Sequence, residues 1–182
     1  MPIARDREGR LSANPLFGDA VLPRRMSSDS VEARLQAHGL ALPSPPLPRG
    51  AYEPVVIHEG YAWVSGMLPF QNGALMAQGL VDRDVSVPQA REAARWAALN
   101  GLSALKAAVG SLDRVLRVIR VGVYVASSPG FGGQPEVANG ASELLGATFG
   151  DAGRHARVSL GTGPLPLGSP VEVEMLFALR RR

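Results

Sequence analysis

The stretch Arg114–Ala126, RVLRVIRVGVYVA, constrains the fold of this chain more than any other. It is rich in β-branched residues, and from Ile119 to Val125 it reads as apolar on both faces. Such a strand needs a packed layer on each side. Helices of the chain can supply one layer, but they are too few to supply both. The second layer is therefore expected from a partner subunit.

The helices are legible from caps and spacing. Ser86 and Gln89 have capping-box spacing, and Pro88 falls in the first turn, where its missing N–H costs little. Ala90, Ala94, Ala98, Leu102, Leu105 and Val109 then form a stripe at helical spacing, and Gly110 ends it. A second long helix is expected over Gln134–Phe149, with Val137, Ala141, Leu144, Leu145 and Thr148 on or near one stripe. Ser30 opens a short capped helix that stops near Gly39. Pro43, Pro45, Pro46 and Pro48 make Ala41–Gly50 an extended linker.

The remaining strands follow period two. Pro54–Ile57 and Tyr61–Ser65 flank a His58-Glu59-Gly60 turn and form a hairpin, and Gln71-Asn72-Gly73 is a further turn. Near the C-terminus, two strands are joined by the Gly/Pro loop Gly161–Pro170. Ala156, Val158 and Leu160 share one face of the first, and Arg157 and Ser159 the other. In the second, Val171, Val173, Met175 and Phe177 oppose Glu172, Glu174, Leu176 and Ala178. If these two strands pair with their apolar faces against helices, Arg157 comes together with Glu172 and Glu174 on the remaining face. That constellation could bind a carboxylate and move a proton, or be an ordinary cross-strand ion pair on a solvated face. The order of elements gives an α+β plan: two long helices on one face of a mostly antiparallel sheet.

Charge and composition narrow the function classes. Residues 1–25 hold five arginines and three acids, a net +2, and Arg180–Arg182 add +3, so the rest of this chain of 182 residues and net charge +3 sums to −2. No basic groove is written into the core. No apolar run reaches the length of a transmembrane helix, no secretory signal is evident, and the absence of cysteine fits a cytoplasmic protein without thiolate chemistry or cysteine-bound zinc. His38, His58 and His155 lack ligand spacing, so no metal site is expected. Gly161-Thr162-Gly163 lacks a strand-to-helix context for phosphate, and Ser65 lacks the surround of a nucleophile. Residues 1–29 show no helix or strand period and read as a flexible extension to a single domain over 30–182, with Met26 as an alternative start of translation.

The segments AYEPVVIHEGYAWVSGMLP, AREAARWAALNGLSALKAAVGSLDRVLRV, VASSPGF, VANGASELL, GRHARVSLG and PVEVE follow one another in the order of the Rid (YjgF-type) family, also called endoribonuclease L-PSP proteins. The chain resembles the longer subgroup with NGAS and GRHAR segments, over roughly Glu32–Leu179. The resemblance implies a chorismate-mutase-like subunit, a homotrimer with a central barrel, and ligand sites in clefts between subunits. For deaminating members it implies hydrolysis of 2-imino or enamine acids to 2-keto acids and ammonia, with no cofactor. Arg157 then matches the arginine that binds the substrate carboxylate, and Glu172 the glutamate that positions water. Tyr52, Asn139 and the Ser65-Gly66 pair match residues lining the cleft. Two departures stand out: the usual S-G-Q is Ser65-Gly66-Met67 here, and Ser159 stands where cysteine is common. Gly153-Arg154-His155 also adds positive charge before the arginine. The competing readings are a non-catalytic trimer that senses small carboxylates and, with less support from a mildly acidic core poor in aromatics, a ribonuclease. The membrane is not an expected partner, nor is nucleic acid.

Overall fold

The computed structural model describes residues 30–48 and 50–181; the extension expected over 1–29 lies outside them. A short helix α1 (Val31–Ala37) is capped by Ser30, whose Oγ accepts from the Ala33 N–H at 3.1 Å. The hairpin β1 (Val55–His58) and β2 (Tyr61–Met67) follows, then the small ribbon β3 (Phe70–Gln71) and β4 (Ala74–Leu75). Asn72 and Gly73 turn that ribbon with φ of 52° and 84°, the doubly left-handed geometry that suits an Asn-Gly pair. Helix α2 (Val87–Val109) has the full capping box between Ser86 and Gln89 and ends at Gly110 with φ 89°. Next come β5 (Val115–Ala126), α3 (Gln134–Phe149), β6 (Ala156–Thr162) and β7 (Val171–Leu179).

The main sheet has the order β1-β2-β7-β5-β6, and every pairing is antiparallel except β5 with β6. The α+β plan with two long helices on one face holds. Two expectations need correction. The last two strands are not neighbours, because β5 lies between them: α3 carries the chain over the sheet from β5 to a parallel β6, and β7 returns on β5's other side. The faces of β6 are also reversed. Arg157 aligns with Val121 and Met175, which are buried under the helices, whereas Ala156, Val158 and Leu160 align with Arg120, Gly122 and Tyr124 on the open face. Parallel pairing keeps aligned side chains on one face, so this register turns Arg157 away from the glutamates.

One buried core joins the helix face of the sheet, including Val121, Val123, Val173, Met175 and Phe177, to the alanine-rich stripe of α2 and to Val137, Ala141 and Leu145 of α3. The open face keeps large apolar side chains in water: Val56, Tyr61, Trp63 and Leu160 are about half exposed. Its β5 portion is thus covered on one side only.

The two long helices touch through backbone. A Cβ placed on Gly140 of α3 would overlap the Arg91 carbonyl of α2, whereas one on Gly146 meets nothing within 4 Å. Gly140→Ala should therefore destabilise the fold by about 1–3 kcal/mol, the usual cost of overpacking. Gly146→Ala should stabilise it by about 0.5–1 kcal/mol through helix propensity. Urea midpoints of the two variants moving in opposite directions are the expected result.

Candidate active site

Two groups of functional side chains are built on this frame, far apart. The first lies where β2 meets β7. A bulge between Val64 and Met67 breaks the register of β2 and brings Gly66 under the carboxylate of Glu172. The approach is so close that a Cβ on Gly66 would overlap Glu172 Oε1. A side chain at position 66 would displace the Glu172 carboxylate.

Glu172 lines a cleft with Tyr52, Ser65, Gly66 and Met67. Burial pushes its carboxyl pKa above the usual carboxylate range, and the neighbouring charge of Glu174 pushes it further. Glu174 is itself held by Arg120, whose Nη1 donates to its Oε1 at 2.6 Å. Beside them, desolvation raises the pKa of Tyr124, the register partner of Glu172. The expected meeting of Arg157 with two glutamates is not made: the arginine on this face is Arg120, and it pairs with Glu174.

The second group lies on the sheet's far edge. Arg157 projects from β6 toward α3, where its Nη1 donates to Asn139 Oδ1 at 2.8 Å and to Ser142 Oγ at 3.1 Å. Ser142 Oγ is 3.0 Å from His155 Nε2, and His155 Nδ1 is 2.6 Å from the Gly153 carbonyl. A carbonyl can only accept, so Nδ1 carries a proton; in the tautomer protonated there alone, Nε2 accepts the Ser142 hydroxyl proton. Ser142 thus donates to His155 and accepts from Arg157, which orients one arm of the guanidinium fork. Ser159 lies two residues along the same face, half-buried.

Of the residues singled out by sequence, Tyr52, Gly66 and Glu172 come together in the cleft, and Arg157, Asn139 and Ser159 come together at the edge. The two sets do not meet within one chain. Arg157 and Glu172 lie two strands apart across the sheet and three residues apart along it. With strand spacings of about 4.8 Å and a rise of about 3.3 Å per residue, their Cα atoms are about 14 Å apart, and the side chains leave opposite faces. Ser142 was missed, although its i+3 spacing from Asn139 places both on one helix face. His155 was noted only as a neighbour of Arg157. Among the described residues, no group of three or more His, Asp or Glu could hold a metal ion, and no helix is long and apolar enough to cross a membrane.

These features define a class: an α+β subunit with a split β-α-β core, a carboxylate in a cleft and an arginine clasped at the opposite sheet edge. The chain belongs to the YjgF/chorismate mutase-like family, whose model, described as "YjgF/chorismate mutase-like, putative endoribonuclease", matches residues 32–179. It is 41% identical over 155 residues to Protein TCP17 of Trypanosoma cruzi, spanning 85% of this chain and 97% of that one. The structure of Atu1372 from Agrobacterium tumefaciens, a protein of unknown function, is similar at a TM-score of 0.78 and 39% identity, over 82% of this chain and 92% of that one. A Shewanella oneidensis structure with the same endoribonuclease description has a TM-score of 0.80 and 35% identity, over 82% and 99%.

The raised pKa of Glu172 has a consequence for stability. A carboxyl that binds its proton more tightly when folded favours the native state at low pH. That contribution is lost as pH rises from the ordinary carboxylate value through the raised one. Glu172→Gln should therefore raise Tm at pH 7 and leave it little changed at pH 4. Thermal unfolding of both proteins across that range checks the sign.

Proposed function

We propose that this protein hydrolyses 2-imino acids, and the enamines in equilibrium with them, to 2-keto acids and ammonia, at clefts completed by a neighbouring copy in a homotrimer. The observation that carries this reading is the separation just described. A carboxylate poised over Gly66 and an arginine oriented by Asn139 and Ser142 sit on opposite edges and opposite faces, beyond the reach of one small ligand. A neighbour that docks its β6 edge against the β2–β7 cleft would bring both to one ligand and cover the half-exposed open face.

The chemistry follows from the two groups. Arg157 binds the substrate carboxylate through its planar fork and fixes the C=N carbon relative to the cleft. Glu172 takes a proton from the water that attacks that carbon. The resulting tetrahedral carbinolamine is protonated on nitrogen, the C–N bond breaks, and the keto acid and ammonia leave. A raised pKa makes Glu172 a stronger base than an ordinary carboxylate. A ribonuclease reading has weaker physical support, since no lysine or arginine lines the cleft among the described residues and Glu172 and Glu174 would repel phosphates.

The test is ammonia and keto-acid release from freshly generated 2-imino acids. Glu172→Gln should lower kcat/KM by about 10²–10⁴, the usual share of a positioned base. Arg157→Ala should lose substrate binding, and Arg157→Lys should not restore it, because a point charge lacks the fork. The acid limb of the wild-type profile should fall above the ordinary carboxylate range, and Glu174→Gln should move it to lower pH. Absence of imine hydrolysis by wild type, with carboxylate binding retained in both wild type and Glu172→Gln, would replace this reading with a carboxylate sensor.

A further inference from the structure

The cleft beside Glu172 continues well past the reacting position. Its volume is about 1180 Å³, at or above the upper end of the roughly 300–1,000 Å³ range of pockets that hold drug-sized molecules. A three- or four-carbon imino acid would leave most of it empty. The wall beyond Glu172 is built mainly from Pro43, Pro46, Leu47, Leu68, Phe70 and Leu167.

Polar groups nearby are already engaged in holding that wall. The Asn100 amide donates to the carbonyls of Leu68 and Phe70 at 2.9 and 3.0 Å. Ser103 Oγ donates to the Pro43 carbonyl at 2.5 Å, tying the proline-rich strap to α2. Ser65 Oγ donates to the Glu53 carbonyl at 2.7 Å. What these bonds leave facing the cleft is largely hydrocarbon.

Leu167 is the most telling residue. It is a leucine with φ 58° and ψ 14°, a conformation that favours glycine. Its carbonyl accepts from Gln78 Nε2 at 2.9 Å, and the next carbonyl, that of Gly168, accepts from the Gly79 N–H at 2.8 Å, which pins the backbone in that state. Yet the side chain is 52% exposed, and Leu47 across the cleft is 87% exposed. A strained backbone that presents an apolar side chain to water does not serve stability; it fits a binding role.

We propose that this annex selects 2-imino acids with a large apolar side chain, branched or aromatic, over those with three or four carbons. The assignment rests on the imine-hydrolase reading for its reacting group and on the annex for its selectivity. The ligand's carboxylate is held at the Arg157 end, and its side chain lies between the proline-rich strap and Leu167. Covering Leu47 and Leu167 supplies the discrimination.

Two measurements on the full chain separate this inference from the reading beneath it. The first is kcat/KM for imino acids generated in place from alanine, leucine and phenylalanine by an amino-acid oxidase. The leucine- and phenylalanine-derived substrates should exceed the alanine-derived one by about tenfold or more, the usual worth of a few apolar contacts. Leu167→Gly and Leu47→Ser should reduce that ratio severalfold. Leu167→Gly should also keep or raise Tm, because glycine relieves the backbone conformation. The second is calorimetric binding of pyruvate and 4-methyl-2-oxopentanoate, the corresponding product acids.

Equal rates on all three imines would overturn the selectivity and leave imine hydrolysis standing. Absence of turnover with a clear preference for 4-methyl-2-oxopentanoate would uphold the annex and remove the hydrolase reading. A parallel loss of all three rates in both variants, with a changed molar mass by light scattering, would assign Leu47 and Leu167 to a subunit contact and overturn the proposal.

Discussion

The pairing of β5 with β6 on one side and β7 on the other decides where every functional group of this protein stands. The crossover through α3 makes β6 parallel to β5, and the return of the chain makes β7 antiparallel. Because aligned residues share a face, Arg157 goes to the helix side with Val121 and Met175, and Glu172 goes to the open side with Tyr124. A one-residue shift of β6 would exchange Arg157 for an apolar neighbour and undo the clasp with Asn139 and Ser142. Register is therefore a functional constraint as well as a structural one. The helix of the crossover, α3, meets α2 at backbone distance, an approach that Gly140 permits.

That geometry sorts the charges into two unlike environments. On the open face, Arg120 pairs with Glu174, and the Glu174 charge then bears on Glu172, whose pKa rises through burial and that repulsion. The arrangement keeps one glutamate paired with a cation and leaves the other in the cleft without one among the described residues. At the far edge the acceptors around Arg157 are neutral, an amide oxygen and a hydroxyl. Neutral acceptors orient a guanidinium without cancelling its charge, so it stays available to an anion. A carboxylate in place of Asn139 would hold the arm more tightly and remove that availability.

Much of this was legible before any coordinates. The capping box at Ser86, the alanine stripe of α2, the bounds of α3 and the Asn72-Gly73 turn are local signals with local causes, and the structure reproduces each. The family resemblance placed Arg157, Glu172, Tyr52, Gly66 and Asn139 together at a cleft between subunits, without the division into two groups that one chain shows. What escaped was non-local. Alternation in β6 shows two faces but does not say which one meets a helix, and Ala156, Val158 and Leu160 looked like the inner set because they are apolar. In a chain whose open sheet face is itself apolar, hydrophobicity cannot choose between the two. Strand order was misjudged for a related reason: adjacency in sequence suggested a hairpin, whereas the α3 crossover had already placed β5 in between. Arg120 was overlooked because it interrupts an otherwise apolar run, although its alternation with Val121 already put it on the face of Glu174.

The base of the cleft and its wall are carried by different kinds of structure. Glu172 sits over the bulge of β2 and Gly66, where a side chain would push its carboxylate aside. Leu47 and Leu167 belong to the proline-rich strap and to the connection before β7, outside any regular strand. Changes in those two segments can reshape the annex without moving the carboxylate, since neither lies in the ladder that sets its position. Loops tolerate such change because few backbone bonds depend on their side chains. Leu167 marks the limit of that freedom. Its left-handed backbone is held by Gln78 and Gly79 from a distant part of the chain, so the side chain is displayed at a defined point of the cleft. A carboxylate seated on the ladder and a wall carried on loops are set by separate parts of the chain, so either can vary without moving the other.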